Sequence, residues 1–369
     1  MVCFRSAMIV SYLRLSAFYL YLCVGIILLV ATDGMAQSGR VKESPTPTLG
    51  PRSLGGPLVL SVPEAGRPKP TPSPTPKGDD EIIKVESALV PIPVSVLDNN
   101  GRAVATLKLA DFELKIDGKP AEISDVSRSD TPIRLAMLFD NSSSVLLARS
   151  FEKDAAVRFF RRVIRPDRDM AALFSVADYT RLEQALTRDV SQLTQAIEYF
   201  PEPKGATALL DGVIEVADYL KSAQGRRVVV IVSDGEDTYS DEKTTLESVV
   251  KALQLADCQV YVVKTKDFEN FKRTGVRGGN ANIRALTAER RMIEITQQTG
   301  GAVYSPIDDN ELNRAFDQIS AELAQQYILS YYPDSETDKR GEFRTITLSV
   351  KGKPNVSIRT RKGYYVGKK

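Results

Sequence analysis

The stretch Ile133 to Phe139, IRLAMLF, is mostly apolar and runs straight into Asp140-Asn141-Ser142-Ser143-Ser144. An apolar run this short, closed by turn formers, reads as a strand buried on both faces. Such a strand needs covering layers above and below, which few architectures supply. The next segment, Val145 to Ile164, has helical spacing: Phe151, Ala155 and Phe159 on one stripe, Ala156, Phe160 and Val163 beside it. Asp140, Ser142 and Ser144 therefore fall on the loop where a buried strand turns into a helix. In an open parallel sheet ligands bind at the carboxyl ends of the strands. Oxygen donors of this kind suit a hard cation such as Mg²⁺.

The pattern repeats from 131 to 326. MAALFSVA reads as a second buried strand and YTRLEQALT as an edge strand. Asp189 is placed to cap a helix over Val190, Leu193 and Ile197. Gly205-Ala206-Thr207-Ala208-Leu209 leads into a helix through Leu210, Val213, Ile214 and Ala217. Arg227 to Val232, RVVVIV, is another fully buried strand, ending in Ser233-Asp234-Gly235-Glu236-Asp237. A helix over Leu246, Val249, Val250 and Leu253 precedes the strand CQVYVVK. A Gly- and Lys/Arg-rich loop is expected over 266–280. It is followed by a helix from Ile283 to Gln298, a stop at Gly300-Gly301, a short strand AVYS and a last helix from Asp309. Alternating strands and helices predict an α/β domain with a doubly wound, mostly parallel sheet.

Asp140-x-Ser142-x-Ser144 resembles the metal-ion-dependent adhesion site of von Willebrand factor A domains. Gly205-Ala206-Thr207-Ala208-Leu209 resembles that family's second loop, and Ser233-Asp234-Gly235 its third. The order, spacing and strand-end positions of the three loops agree with the family, over roughly half the chain. The resemblance implies a site for Mg²⁺, or Mn²⁺ or Ca²⁺, held by Asp140, Ser142, Ser144, Thr207 and Asp234. Each of these residues also has an ordinary structural reading. Ser142, Ser144 and Thr207 are all placed to cap helices, and Asp234 can belong to a simple Asp-Gly turn. Asn141 points away from the metal in the family pattern.

The flanks read as β. In 81–130, VSVLD meets Asn99-Asn100-Gly101, a hairpin signal with a returning strand, and FELKI meets Asp117-Gly118, a second one. Pro91 and Pro93 point to an edge strand or an irregular lead-in. In 327–369, YILSYYPD, FRTITLSV and VSIRTRKGYYV alternate in the same way. Neither flank has enough strands to bury two faces, so the expectation is one β-sandwich-like unit built from both, with 131–326 inserted in it. This order resembles that of secreted bacterial von Willebrand A-related proteins of the acidobacterial type. Residues 1–36 read as a signal peptide or a retained N-terminal anchor: Arg5 and Arg14, an apolar run from Leu15 to Ala31, then Gly34-Met35-Ala36. Residues 37–80 are a Pro/Thr/Ser-rich linker, either a spacer or a disordered tail. Both N-terminal readings place the chain outside the cytoplasm: periplasmic, cell-surface or secreted.

Composition narrows the function. The net charge of +2 offers no strong field for nucleic acid. The absence of histidine removes the commonest general base, leaving Glu236, Asp237 and Lys204 as the only bases beside the loops. Of the three cysteines only Cys258 lies beyond the N-terminal segment, in an apolar strand, where it reads as a buried thiol. Two carboxylates and three hydroxyls leave a cation under-neutralised and open to an outside carboxylate. The expectation is an exported, non-enzymatic protein whose cation captures an Asp or Glu of a protein partner. A purely structural envelope module and a metal-dependent enzyme are the alternatives. Any membrane contact is expected only through the N-terminal anchor.

Overall fold

The computed structural model describes residues 89–128, 131–146, 148–277, 282–333 and 339–366. The readings of 1–36 and 37–80 lie outside the described residues.

The two apolar runs of the sequence become neighbours at the centre of one sheet. Strand β5 (Ile133–Asp140) pairs in parallel with β8 (Arg226–Ser233) on one side and β6 (Met170–Val176) on the other. Beyond β8 lie β9 (Cys258–Lys264) and the short β10 (Val303–Tyr304), both parallel. Beyond β6 lies β7 (Thr180–Thr187), antiparallel and at the edge. The order is β10-β9-β8-β5-β6-β7. Alternate residues of β5 serve opposite layers, which is why the strand is apolar throughout. Leu135, Met137 and Phe139 join a core with Phe159 and Phe160 of α1 (Arg149–Val163), Leu193 of α2 (Val190–Glu198) and Phe316 of α7 (Asp309–Gln325). Ala136 and Leu138 face Val213 of α3 (Leu209–Leu220), Leu253 of α4 (Leu246–Leu255) and Met292 of α6 (Ile283–Thr299).

The flanks build two four-stranded antiparallel sheets. One has the order β13 (Ser357–Thr360), β1 (Val90–Leu97), β11 (Tyr327–Tyr331), β4 (Asp125–Arg128). The other has β14 (Gly363–Tyr365), β12 (Phe343–Val350), β2 (Phe112–Ile116), β3 (Lys119–Ala121). Each sheet mixes strands from both sides of the α/β insertion. Their inner faces share one core, with Ile92, Val94, Leu114, Tyr327, Leu329 and Ile346. Phe112 and Tyr327 stack edge to face at 5.4 Å. The Tyr327 hydroxyl donates to Val104 O and accepts from Leu107 N, each at 2.9 Å.

Asp117-Gly118 forms the expected two-residue hairpin, with φ of 50° and 76°. The hairpin expected after Asn99-Asn100-Gly101 closes over only a few residues, without a regular returning strand. The turn is there, with Asp98 Oδ1 accepting from Asn100 N and Arg102 N, and the returning chain pairs briefly, with Asp98 N donating to Arg102 O, a bridge at Leu97–Ala103 and Val104 N donating to Val96 O. β1 is already paired with β11 over Val90–Val94 and with β13 over Val94–Leu97, and beyond the bridge the returning chain is held by Tyr327. The prolines fit this stagger. Pro91 and Pro93 precede the stretch where β13 begins, and their carbonyls accept from Arg361 Nη2 and Thr360 Oγ1.

Candidate metal centre

Asp140 is the last residue of β5 and its carboxylate is buried. Oδ1 accepts from Ser142 N at 2.9 Å, and Oδ2 accepts from Ser233 Oγ at 2.6 Å. The first contact closes the loop on itself; the second ties it to the end of β8. The Ser142 and Ser144 hydroxyls are 2.9 Å apart. Arg149, in the first turn of α1, clamps the loop from behind. It donates to Asp140 O and to Asn141 Oδ1, and its guanidinium lies over the rings of Phe139 and Phe200. The Asn141 side chain is thereby held by Arg149.

The second loop is fastened to the first by backbone. Lys204 N donates to Asn141 O, and Ser143 Oγ donates to Gly205 O at 3.0 Å. Gly205 has φ of 83°, and a Cβ there would lie 2.6 Å from Asp178 Oδ1. That same Oδ1 accepts from Ala206 N at 2.7 Å, so Asp178 fixes the turn that delivers Thr207. Thr207 is buried; its N donates to Thr238 Oγ1, and its carbonyl accepts from Thr238 N and Tyr239 N. These bonds join the second loop to the third.

In the third loop Asp234 Oδ1 accepts from Glu236 N, and Ser233 Oγ accepts from Gly235 N. Lys266 Nζ lies 3.5 Å from Asp234 Oδ2 and 2.9 Å from Glu236 Oε1. Burial, and then the neighbouring Asp234 carboxylate, raise the Asp140 carboxyl to about 6. A buried Asp140 carboxyl whose ionisation is opposed by a second buried acid forms a ready seat for a cation. The hydroxyls are not spent on caps: neither Ser142 nor Ala148 makes a side-chain cap bond, and α3 starts at Ala208 without one. Two carboxylates and three hydroxyls fit a hard ion. Among the described residues no group of three or more His, Cys, Asp or Glu forms a metal cluster, so hydroxyls would have to supply the rest of the shell.

Residues 135–236 match the family profile described as von Willebrand factor type A domain. The α/β domain belongs to this family. No curated protein matches the chain. Among solved structures the von Willebrand A domain resembles several at low identity. The PilB minor pilin from Streptococcus sanguinis is 13% identical over 53% of this chain and 62% of its own, with a TM-score of 0.41. This chain thus spans less than two thirds of that pilin. BatB from Bacteroides thetaiotaomicron is 15% identical over 52% and 99%, with a TM-score of 0.39. The von Willebrand domain of the type V pili tip protein Mfa5 from Porphyromonas gingivalis is 12% identical over 52% and 94%, with a TM-score of 0.40.

One expectation beside the site is corrected. The stretch read as a loop over 266–280 begins with helix α5 (Lys266–Thr274), closed by Gly275 at φ of 71°. Phe268 is fully buried, and Lys272 lies 3.9 Å from the Phe151 ring centroid. The apolar face is short, Phe268 and the half-buried Phe271 among charges. Two of the helix's cations are ion-paired, Lys272 with Asp309 at 2.9 Å and Lys266 with Glu236, Arg273 donates to Asn270 Oδ1, and Arg277, past the helix end, lies 3.8 Å from Asp308. Sequence reasoning also passed over Ser233, Arg149, Asp178 and Thr238. Ser233 alone had a signal, standing next to Asp234 at a strand end.

Proposed function

We propose that the von Willebrand A domain binds a protein partner through one divalent cation, Mg²⁺ or else Mn²⁺ or Ca²⁺, held by Asp140, Ser142, Ser144, Thr207 and Asp234. The observation that carries this reading is the buried Asp140–Asp234 pair beside hydroxyls that cap no helix. A bound cation supplies a Lewis-acid site for an Asp or Glu carboxylate of the partner. The residues themselves orient and exclude water: Ser233 and Ser142 N fix the Asp140 carboxylate, and Asp178 fixes the Thr207 loop. A groove of about 330 Å³ beside the third loop, lined by Glu236, Thr238, Ile283, Arg284 and Arg291, offers further contact area. We read the domain as non-enzymatic. Asp237 Oδ1 is engaged by Leu210 N and Ser240 Oγ, Glu236 is paired with Lys266, and Lys204 is exposed. We also read the protein as exported, from residues 1–80.

A second reading has one observation in its favour. Lys266 already sets a cation beside Asp234, as a metal-free structural module would. Calorimetry on the full chain separates the two. Under the first reading one Mg²⁺ or Mn²⁺ binds per chain and Asp140→Ala abolishes binding. Capture of a partner from envelope extract should then be lost with chelator, with Asp140→Ala and with Asp234→Ala. Equal capture by all three proteins, unchanged by chelator, would falsify metal-mediated binding.

A further inference from the structure

The metal loops stand at the carboxyl end of the central sheet and the β-sandwich at the other, where Arg361 Nη1 donates to Asp257 just ahead of β9. Helix α6 spans the distance between them. In its first half Ala288 lies against the third loop, its Cβ 3.5 Å from where a Cβ on Gly235 would stand. In its last turn Gln298 O accepts from Lys362 N of the sandwich. Two hollows follow the helix. One is the groove of about 330 Å³ beside Glu236 and Thr238. The other, of about 860 Å³, lies between α6 and α4 and ends on Phe343 and Tyr365 of the sandwich. Thr287 and Arg291 line both hollows, so the two adjoin. Together they make a trough along α6 from the third loop to the sandwich.

Its chemistry changes along its length. Arg284, Arg290 and Arg291 line the part nearer the loops, and none makes a side-chain hydrogen bond or ion pair among the described residues. Arg284 and Arg290 are exposed and Arg291 is half-buried, so these guanidiniums are within reach of a ligand. The acids of the walls are mostly engaged. Lys266 holds Glu236, Leu210 N and Ser240 Oγ hold Asp237, and Gln298 Nε2 donates to Glu294 Oε1 at 2.8 Å, which leaves Glu247. Three free guanidiniums against one free carboxylate suit acidic side chains. At the sandwich end the walls are apolar. Leu246 and Val250 of α4 are half-buried, and the rings of Phe343 and Tyr365 stack at 5.0 Å. From Ile283 to Gln298 the helix rises about 22 Å. An extended chain covers that distance in about seven residues.

We propose that the partner presents an extended acidic peptide. One of its carboxylates meets the cation, further acidic side chains pair with Arg284 and Arg291, and an apolar side chain rests on Phe343 and Tyr365. This rests on the metal-binding reading above. It gives the sandwich a share in recognition, since the far end of the trough is built from β12 and β14.

The probe is a linear peptide selected from a random displayed library on the full chain in Mg²⁺, then synthesised with a fluorophore. Selected peptides should be acidic, with an apolar residue about seven positions from an Asp or Glu. Fluorescence anisotropy should show release by chelator and by Asp140→Ala. Arg284→Glu combined with Arg291→Glu should weaken binding about tenfold or more, from two lost ion pairs and new like-charge repulsion. Neither arginine side chain holds another group, so the double variant should fold, which an unchanged Tm checks. A benzophenone in place of the peptide's apolar residue should crosslink to the 343–365 segment, read by mass spectrometry. Binding lost with chelator but indifferent to the arginine changes, with no crosslink at 343–365, overturns the trough and leaves the metal reading standing. Binding that ignores chelator and Asp140→Ala overturns the metal reading and this proposal with it. Failure to select any peptide, while calorimetry shows bound Mg²⁺, overturns the extended peptide alone.

Discussion

Glu152 is fully buried in the first turn of α1, and neither of its carboxylate oxygens has a hydrogen-bond partner among the described residues. Burial, with smaller contributions from Asp140 and Glu269, raises its carboxyl to about 8, against the pull of Arg149. The folded chain therefore keeps a proton that the unfolded chain releases near the ordinary value of 4.5. Proton binding is greater in the folded state, so stability falls as pH rises from about 4.5 through about 8. Glutamine mimics the protonated acid and cannot ionise. Glu152→Gln should match wild type near pH 5 and gain on the order of a few kcal/mol by pH 9, several degrees in Tm. Thermal melts at the two pH values check this, and an equal loss at both would mean that Arg149 holds Glu152 as an anion. The same residue scale shows what one sequence withholds. Arg149, Arg226 and Arg361 look like surface charges on paper, yet each is buried because backbone carbonyls at helix ends, strand ends and loops meet it. No local pattern announces such acceptors.

At the scale of elements, the strands were legible wherever burial acted on both faces. β5 and β8 carry an apolar residue at nearly every position because two helical layers require it. Helix α5 was passed over: Phe268 and Phe271 stand at helical spacing, but two aromatic residues among charges over nine residues are a short signal. The return after Gly101 is shorter than its turn chemistry implies, because hairpin chemistry is local whereas the edges of β1 are claimed by strands far away in sequence. The loops were legible as polar strand ends, but their mutual fastening was not. Gly205 tests that fastening. Alanine there must hold a left-handed φ and displace Asp178, at a cost of roughly 1–3 kcal/mol. Gly205→Ala should lower Tm by a few degrees and weaken Mg²⁺ binding, because Thr207 follows the turn. Calorimetry showing unchanged affinity would mean that the second loop adapts without Asp178.

At the scale of the whole molecule, the sandwich exists only when both flanks are present. β1 takes its partners from β11 and β13, and β2 is paired with β12. Deleting Tyr327–Lys369 should remove hydrogen-exchange protection from Val90–Leu97 and Phe112–Ile116. Protection that survives would show that the N-terminal strands close on themselves. The pairing was foreseeable from strand counts; the bond from Arg361 to Pro91 O was not, because the two residues lie 270 positions apart.

The placement of the loops and the sandwich at opposite ends of one sheet has a mechanical consequence. A partner pulling on the loop after Asp140, with the sandwich held back, would draw β5 along its own axis. β5 is registered with β6 from Arg134 to Asp140 and with β8 from Ile133 to Phe139. Tension in that direction shears both ladders at once instead of opening them one bond at a time. The sheet thus resists being pulled between its two ends in the direction along which its hydrogen bonds act together.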